Sequence, residues 1–318
     1  MKPTAKAVEG GESMFGAKRL KNALAGVLVA GLVALSAIGG YLVYMQRQAA
    51  ASWQDEGGPD PAGTLILCGG GSIPDQVFDR FVRCAGGRAA RIVVIPAYHP
   101  SAKEKRELIA EWRAHGVASV AVLSATTRAE ADASAIGAPF ADATGVWISG
   151  GNQRYLAEIY VDTDVERQLQ ALLARGGVVG GVSAGAAIMT QTMIVGGSDP
   201  VLEERGFDLL PGTVVDQHFL KRNRTQRLLN VLAGHRELIG LGIDEHTAVV
   251  IERERGHWSV IGKSYAMVCL PAAEGFPRLE ILKAGDSTDI ELLREQGAVA
   301  INSAAFWDAL SGAGAARP

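Results

Sequence analysis

Residues 177–189 read GVVGGVSAGAAIM, a run of strand formers that passes through a serine set between small residues into a run of helix formers. This order predicts a strand over 177–181, a tight turn at Gly181-Val182-Ser183-Ala184-Gly185, and a helix beyond it. A G-x-S-x-G pattern at a strand-to-helix junction is a nucleophile elbow, because small neighbours let the turn close and leave the serine oxygen exposed. Amides at the start of the following helix can stabilise a developing oxyanion, and Ala184 and Gly151 are the candidate donors. The competing reading is a glycine-rich turn whose serine only caps the helix. The flanking strand and helix favour the nucleophile.

Outward from the elbow, short β-branched runs alternate with helical stretches. TLILC at 64–68, RIVVIP at 91–96, SVAVL at 119–123 and GVWIS at 145–149 are strand candidates. Ser101-Ala-Lys-Glu104, Thr127-Arg-Ala-Glu130 and Thr163-Asp-Val-Glu166 fit the capping box that opens a helix. Val165, Leu169, Leu172 and Leu173 then recur at helical spacing. This rhythm predicts an α/β fold, a mostly parallel sheet flanked by helices, as one domain over 64–290. Strands at 239–243, 247–252, 257–262 and 265–270 follow one another through short turns, which predicts an antiparallel extension at one edge.

The chain has 318 residues, of which 31 are Lys or Arg and 34 are Asp or Glu, a net charge of -3. That balance leaves no basic excess for a nucleic-acid backbone. Cys68, Cys84 and Cys269 are too few and too scattered for a disulfide framework, and fit small core positions. From Asn22 to Met45 runs a 24-residue stretch without a charge. As a helix it would measure roughly 36 Å, against a hydrocarbon layer of about 30 Å. Lys2, Lys6, Lys18, Arg19 and Lys21 precede it and Arg47 alone follows closely. The expectation is a cytoplasmic tail at 1–21, a membrane anchor at 22–45, a linker at 46–63 and a catalytic domain outside the cytoplasm. A signal peptide cleaved near Ala49-Ala50-Ala51 is the alternative. Residues 291–318 read as a carboxyl-terminal extension with a frayed end.

Ligands of open α/β sheets bind beyond the carboxyl ends of the strands. Two further polar clusters lie at such ends. Ser149-Gly150-Gly151-Asn152-Gln153 closes one strand, its glycines allowing backbone to approach a ligand and Gln153 able to orient a substrate. Asp216-Gln217-His218-Phe219 closes another, and His218 could take the proton from Ser183. Arg222, Arg224 and Arg227 follow it, suited to a carboxylate pocket or to a solvated basic surface. Gly242-Ile243-Asp244-Glu245-His246-Thr247 could supply supporting acidity, or simply a turn. The Gly69-Gly70-Gly71-Ser72 turn lacks the full dinucleotide pattern, which argues against a dehydrogenase. His99, His115, His235, His246 and His257 lack metal-ligand spacing, so no metal and no cofactor is expected.

These residues resemble the cyanophycinase and dipeptidase E family of serine peptidases, peptidase family S51. The resemblance covers about 64–270 and rests on GGGSIPD at 69–75, GGNQ at 150–153, GVSAGAAIM at 181–189, VVDQHFLKRNRTQRLLNVL at 214–232 and LGIDEHTA at 241–248. It implies a fold related to class I glutamine amidotransferases, which is flavodoxin-like, and a serine–histidine pair with an acidic third member. On that footing Ser183 is the nucleophile and His218 the base. The acid is expected shortly after the MIVGGS segment, where Asp199 fits, with Glu203 and Glu204 slightly farther along. Gln153, Gln217, Arg222, Arg224 and Arg227 match the group that engages a branched aspartyl-arginine substrate, with Glu245 among the acids that would receive its guanidinium. The family's cyanophycinases cut multi-L-arginyl-poly-L-aspartate into β-Asp-Arg dipeptides. Other members act on aspartyl dipeptides, and a non-catalytic membrane-tethered binding module is the remaining class. A homodimer is compatible with each.

Overall fold

The computed structural model describes residues 63–271 and 277–295. Among these no helix is long and apolar enough to cross a membrane, and the expected anchor at 22–45 lies outside them, as do the tail, nearly all of the linker and the end of the extension.

The first strands follow the sequence pattern closely: β1 (Thr64–Cys68), β2 (Arg91–Ala97), β3 (Ser119–Val122), β4 (Gly145–Gly151) and β5 (Val178–Val182). Next come β6 (Thr192–Gly197), β7 (Val201–Arg205), β8 (Thr213–Gln217) and β9 (Ile239–Ile243). The chain continues through β10 (Thr247–Glu252), β11 (His257–Gly262), β12 (Tyr265–Leu270), β13 (Arg278–Lys283) and β14 (Ser287–Asp289). The helices are α1 (Asp75–Cys84), α2 (Ala102–Ala114), α3 (Arg128–Ala131) and α4 (Gln153–Tyr160). They are followed by α5 (Asp164–Ala174), α6 (Ala184–Ala187), α7 (Thr225–Gly234) and α8 (Ile290–Glu295).

The main sheet has the order β14-β11-β10-β1-β5-β4-β2-β3, with β1, β5, β4, β2 and β3 parallel. Every residue of β1 and β5 is buried, which explains their unbroken apolar runs: strands covered on both faces need no polar alternation. One face carries Leu156, Tyr160, Leu169 and Leu172 from α4 and α5. The other carries Phe78 and Phe81 from α1 and Trp112 from α2, clustered around Trp147 of β4, with Phe81 edge-on to it. Ile290 and Leu293 of α8 are also buried, so folded core continues into the expected extension.

The strands beyond residue 239 do not form one antiparallel edge. β10, β11 and β14 do extend the main sheet beyond β1, each antiparallel to the strand before it, but β9 and β12 belong to a second sheet of order β13-β12-β9-β8. There β8 and β9 run parallel, joined by α7 as a βαβ crossover, so the segment 244–246 passes from one sheet to the other. The capping boxes also differ. At Ser101 both reciprocal bonds form, Oγ accepting from Glu104 N and Glu104 Oε2 accepting from Ser101 N. Thr127 accepts from Glu130 N, but Glu130 binds Thr126 instead. Thr163 makes no cap, since its hydroxyl donates to Tyr160 O and Glu166 accepts from Asp162 N.

Candidate active site

The candidate nucleophile is placed by strain and close packing. Ser183 follows β5 with φ 53° and ψ −108°, a region costly for a residue with a Cβ, and its amide is held by Cys68 O at 2.9 Å. Behind it Gly185 packs so tightly that a Cβ there would lie 2.1 Å from Ile148 O. The turn therefore needs glycine at that position for steric reasons. Ala184 opens α6, where first-turn amides lack helical acceptors, and a Cβ on Gly150 would lie 3.7 Å from Ser183 Cβ. The Gly150–Gly151 peptide thus borders the nucleophile, leaving Ala184 and Gly151 as candidate oxyanion donors.

Three consecutive carbonyls at the end of β1 organise the site. Cys68 O accepts from Ser183 N, Gly69 O from His218 N at 2.7 Å, and Gly70 O from His246 N at 2.8 Å. The glycine turn after β1 is thus the template on which these segments meet, a role that its place in the GGGSIPD motif does not by itself reveal. Gly70 has φ +128°, and a Cβ there would lie 2.2 Å from His218 Cε1, so the imidazole rests directly on its backbone. His246 closes the same turn, its Nδ1 donating to Ser72 O at 2.8 Å.

Ser183 Oγ lies 2.9 Å from His218 Nε2, and His218 Nδ1 lies 2.7 Å from Glu245 Oε1. Glu245, rather than Asp199, occupies the third position. The reason is register: Gln217 pairs with Ile243 in parallel strands, so His218 and the 244–246 crossover emerge side by side. Glu245 is correspondingly not a free acceptor for a substrate guanidinium. Asp199 sits at the β6–β7 connection, Glu203 binds His235 Nε2 at 2.8 Å, and Glu204 binds Arg154 Nε at 2.5 Å. Burial pushes the His218 imidazolium below its usual range, and the Glu245 hydrogen bond opposes this while the positive charge of Arg222 adds to it. The hydrogen bond from His218 holds the Glu245 carboxyl below the usual glutamate range. A neutral imidazole beside an ionised acid is the state a general base requires.

The arginines that follow differ from one another. Arg227 is buried, its Nε donating to Asp216 Oδ2 at 2.8 Å and its Nη2 to Asp216 Oδ1, so its guanidinium is paired with a fully buried carboxylate. Arg224 donates to Gln217 O at 2.5 Å and to Gln217 Oε1. Gln217 is itself buried, so it orients Arg224. Arg222 is exposed. Gln153 stands at the start of α4 and donates through Nε2 to Ile194 O at 3.1 Å, while Asn152 caps that helix. A cleft of about 610 Å³ runs along Arg222, Arg224 and Arg227 and includes Ser198 and Asp199. Among the described residues no three His, Cys, Asp or Glu side chains gather as a metal site.

The model of peptidase family S51 matches residues 65–258. A cyanophycinase of Trichormus variabilis is 34% identical over 228 residues, 67% of this chain and 76% of its own length. A cyanophycinase of Geminocystis herdmanii is 33% identical over 201 residues, 59% of this chain and 72% of its own. In fold, a peptidase from an acI-B1 Actinobacterium superposes with a TM-score of 0.57 at 23% identity, covering 71% of this chain and 96% of that one. The matched stretch spans the elbow, the template turn and the crossover that together assemble the serine, histidine and glutamate, and the chain belongs to peptidase family S51 as a serine-type peptidase.

Proposed function

We propose that this peptidase hydrolyses multi-L-arginyl-poly-L-aspartate to β-Asp-Arg dipeptides through an acyl-enzyme on Ser183. The carrying observation is that the turn from His218 to Arg224 joins the catalytic base to a cleft lined by arginine and aspartate. Each repeat of that polymer presents a free arginine carboxylate and a guanidinium, a complementary charge pair. The relatives named cyanophycinase support the same reading.

In the first half-reaction Ser183 Oγ attacks the scissile carbonyl carbon while His218 Nε2 takes its proton. Glu245 stabilises the resulting imidazolium, and amides of Ala184 and Gly151 receive the oxyanion. The C–N bond breaks as His218 returns the proton to the leaving amine. Water, deprotonated by His218, then attacks the acyl-enzyme and frees Ser183. The apolar stretch at 22–45 anchors the chain, with the catalytic domain outside the cytoplasm, or is removed as a signal peptide to release a secreted enzyme.

The deciding experiment incubates the full chain with purified polymer and with plain α-aspartyl dipeptides, followed by mass analysis of the products. Release of β-Asp-Arg with higher kcat/KM on the polymer is expected. Faster turnover of the plain dipeptides would replace this substrate with the dipeptidase reading.

A further inference from the structure

Asp199, set aside by the triad, lines the same cleft as the arginines. Counting charges there leaves little free. Arg227 is spent on Asp216, and Arg224 on the carbonyl and side-chain oxygens of Gln217, with Asp216 Oδ1 3.5 Å away. Arg222 and Asp199 remain, both exposed and both without a side-chain partner among the described residues. One cation and one carboxylate thus stand uncommitted in one cleft.

The segment carrying Asp199 is held from three sides. β6 and β7 pair up to Gly197 and Val201, Asn230 of α7 donates to Ser198 O at 3.0 Å, and Gln153 donates to Ile194 O at the root. Asn230 lies on the helix that follows the arginine turn and Gln153 opens α4, so the backbone carrying Asp199 is placed beside the arginines by fixed elements. A carboxylate on such a segment opposes a guanidinium well, because its two oxygens match the fork of donors.

We infer that Asp199 receives the guanidinium of the substrate arginine while Arg222 takes its free carboxylate, making Asp199 a specificity residue that never touches the reacting atoms. This rests on the polymer reading proposed above. It assigns the cleft a zwitterionic ligand, an arginine linked through its α-amine, and separates the roles of two acids: Glu245 serves the chemistry and Asp199 the grip.

The test compares wild type and Asp199→Asn in the full chain on a short synthetic oligomer of β-aspartyl-arginine units and on its citrulline counterpart. Citrulline keeps the shape and removes the charge. Asp199→Asn should raise KM on the arginine oligomer about tenfold, the low end for a charge-assisted contact because the residue lies at the solvent edge. Its kcat should stay within about twofold, as expected when an interaction is made equally in ground and transition states. The citrulline oligomer should respond little to the change. If wild type cleaves the arginine oligomer and Asp199→Asn leaves its KM unmoved, this inference fails while the polymer reading stands. Equal loss of kcat on both oligomers would return Asp199 to the chemistry and also overturn it. Wild type that cleaves neither oligomer yet turns over plain aspartyl dipeptides would remove the polymer reading and this inference together.

Discussion

The catalytic corner and the cleft beside it share one turn, from His218 to Arg224, yet they handle polar groups in opposite ways. At the corner every reacting side chain meets another, serine to histidine to glutamate, and the amides of Ser183, His218 and His246 hang on three consecutive carbonyls at residues 68–70. In the cleft most of the charge is committed inward, to a buried aspartate and to backbone, and only the rim faces outward. Three arginines in a motif are therefore not three equally free cations. Burial decides which serve the fold and which meet a ligand.

Disabling the corner should give the largest effects. Ser183→Ala should reduce turnover to background with the fold intact, since only one half-buried hydroxyl bonded to His218 is lost. Glu245→Gln should lower kcat by at least about 100-fold, cautious beside the roughly 10⁴ known for loss of the acid in serine-protease triads. Steady-state rates on the polymer, with thermal melts as a control for folding, check both. Retention of kcat within tenfold in Glu245→Gln would break the distinction between Glu245 and Asp199.

Much of the corner was legible beforehand, and the part that was not has a definite cause. Ser183 announces itself because a strand, a small-residue turn and a helix are contiguous in sequence, and His218 stands at a strand end. Glu245 lies 27 residues beyond the histidine, and its place depends on which strand β9 pairs with. Short turns after residue 239 suggested a simple antiparallel meander. Strand pairing is a non-local property, and nothing in IGLGI itself says that β8, rather than β10, lies alongside it. The same blindness hid the template role of Gly69 and Gly70. Local signals such as the Ser101 capping box survived because both partners lie within one turn of helix.

A change inside the cleft should act on stability rather than chemistry. Arg227→Ala would leave the Asp216 carboxylate fully buried without its bidentate partner, after burial has already pushed that carboxyl above the usual aspartate range. Removing one member of a buried ion pair costs about 3–5 kcal/mol. Urea unfolding monitored by fluorescence should show an unfolding free energy smaller by that order, read as a lower midpoint at unchanged slope. A midpoint close to wild type would mean that Arg227 is held less tightly than its two contacts indicate, and would return it to the list of substrate contacts.

The smallest effect tests whether corner and cleft communicate electrostatically. Catalysis needs His218 neutral, so kcat/KM should fall on the acid side as His218 gains a proton, and that limb reports the free enzyme. Burial lowers the His218 pKa from 6.5, and Arg222 lowers it further because a nearby cation disfavours the imidazolium. The acid limb of wild type should therefore lie below pH 6.5. Arg222→Gln removes a positive charge, makes protonation easier and should move the limb to higher pH, whatever it does to the height of the profile. Glu245→Gln should move it the other way, because the carboxylate favours the imidazolium. Arg224 does not create this movement: burial and the neighbouring Arg227 push its guanidinium down to about 10, so its charge stays constant across the whole acid limb. Arg222 is exposed, so added salt should screen its contribution and shift the wild-type limb toward that of Arg222→Gln. Profiles for wild type and both variants at low and high ionic strength separate these terms. An acid limb that stays fixed when Arg222 is replaced would show that the cleft senses the substrate without tuning the base.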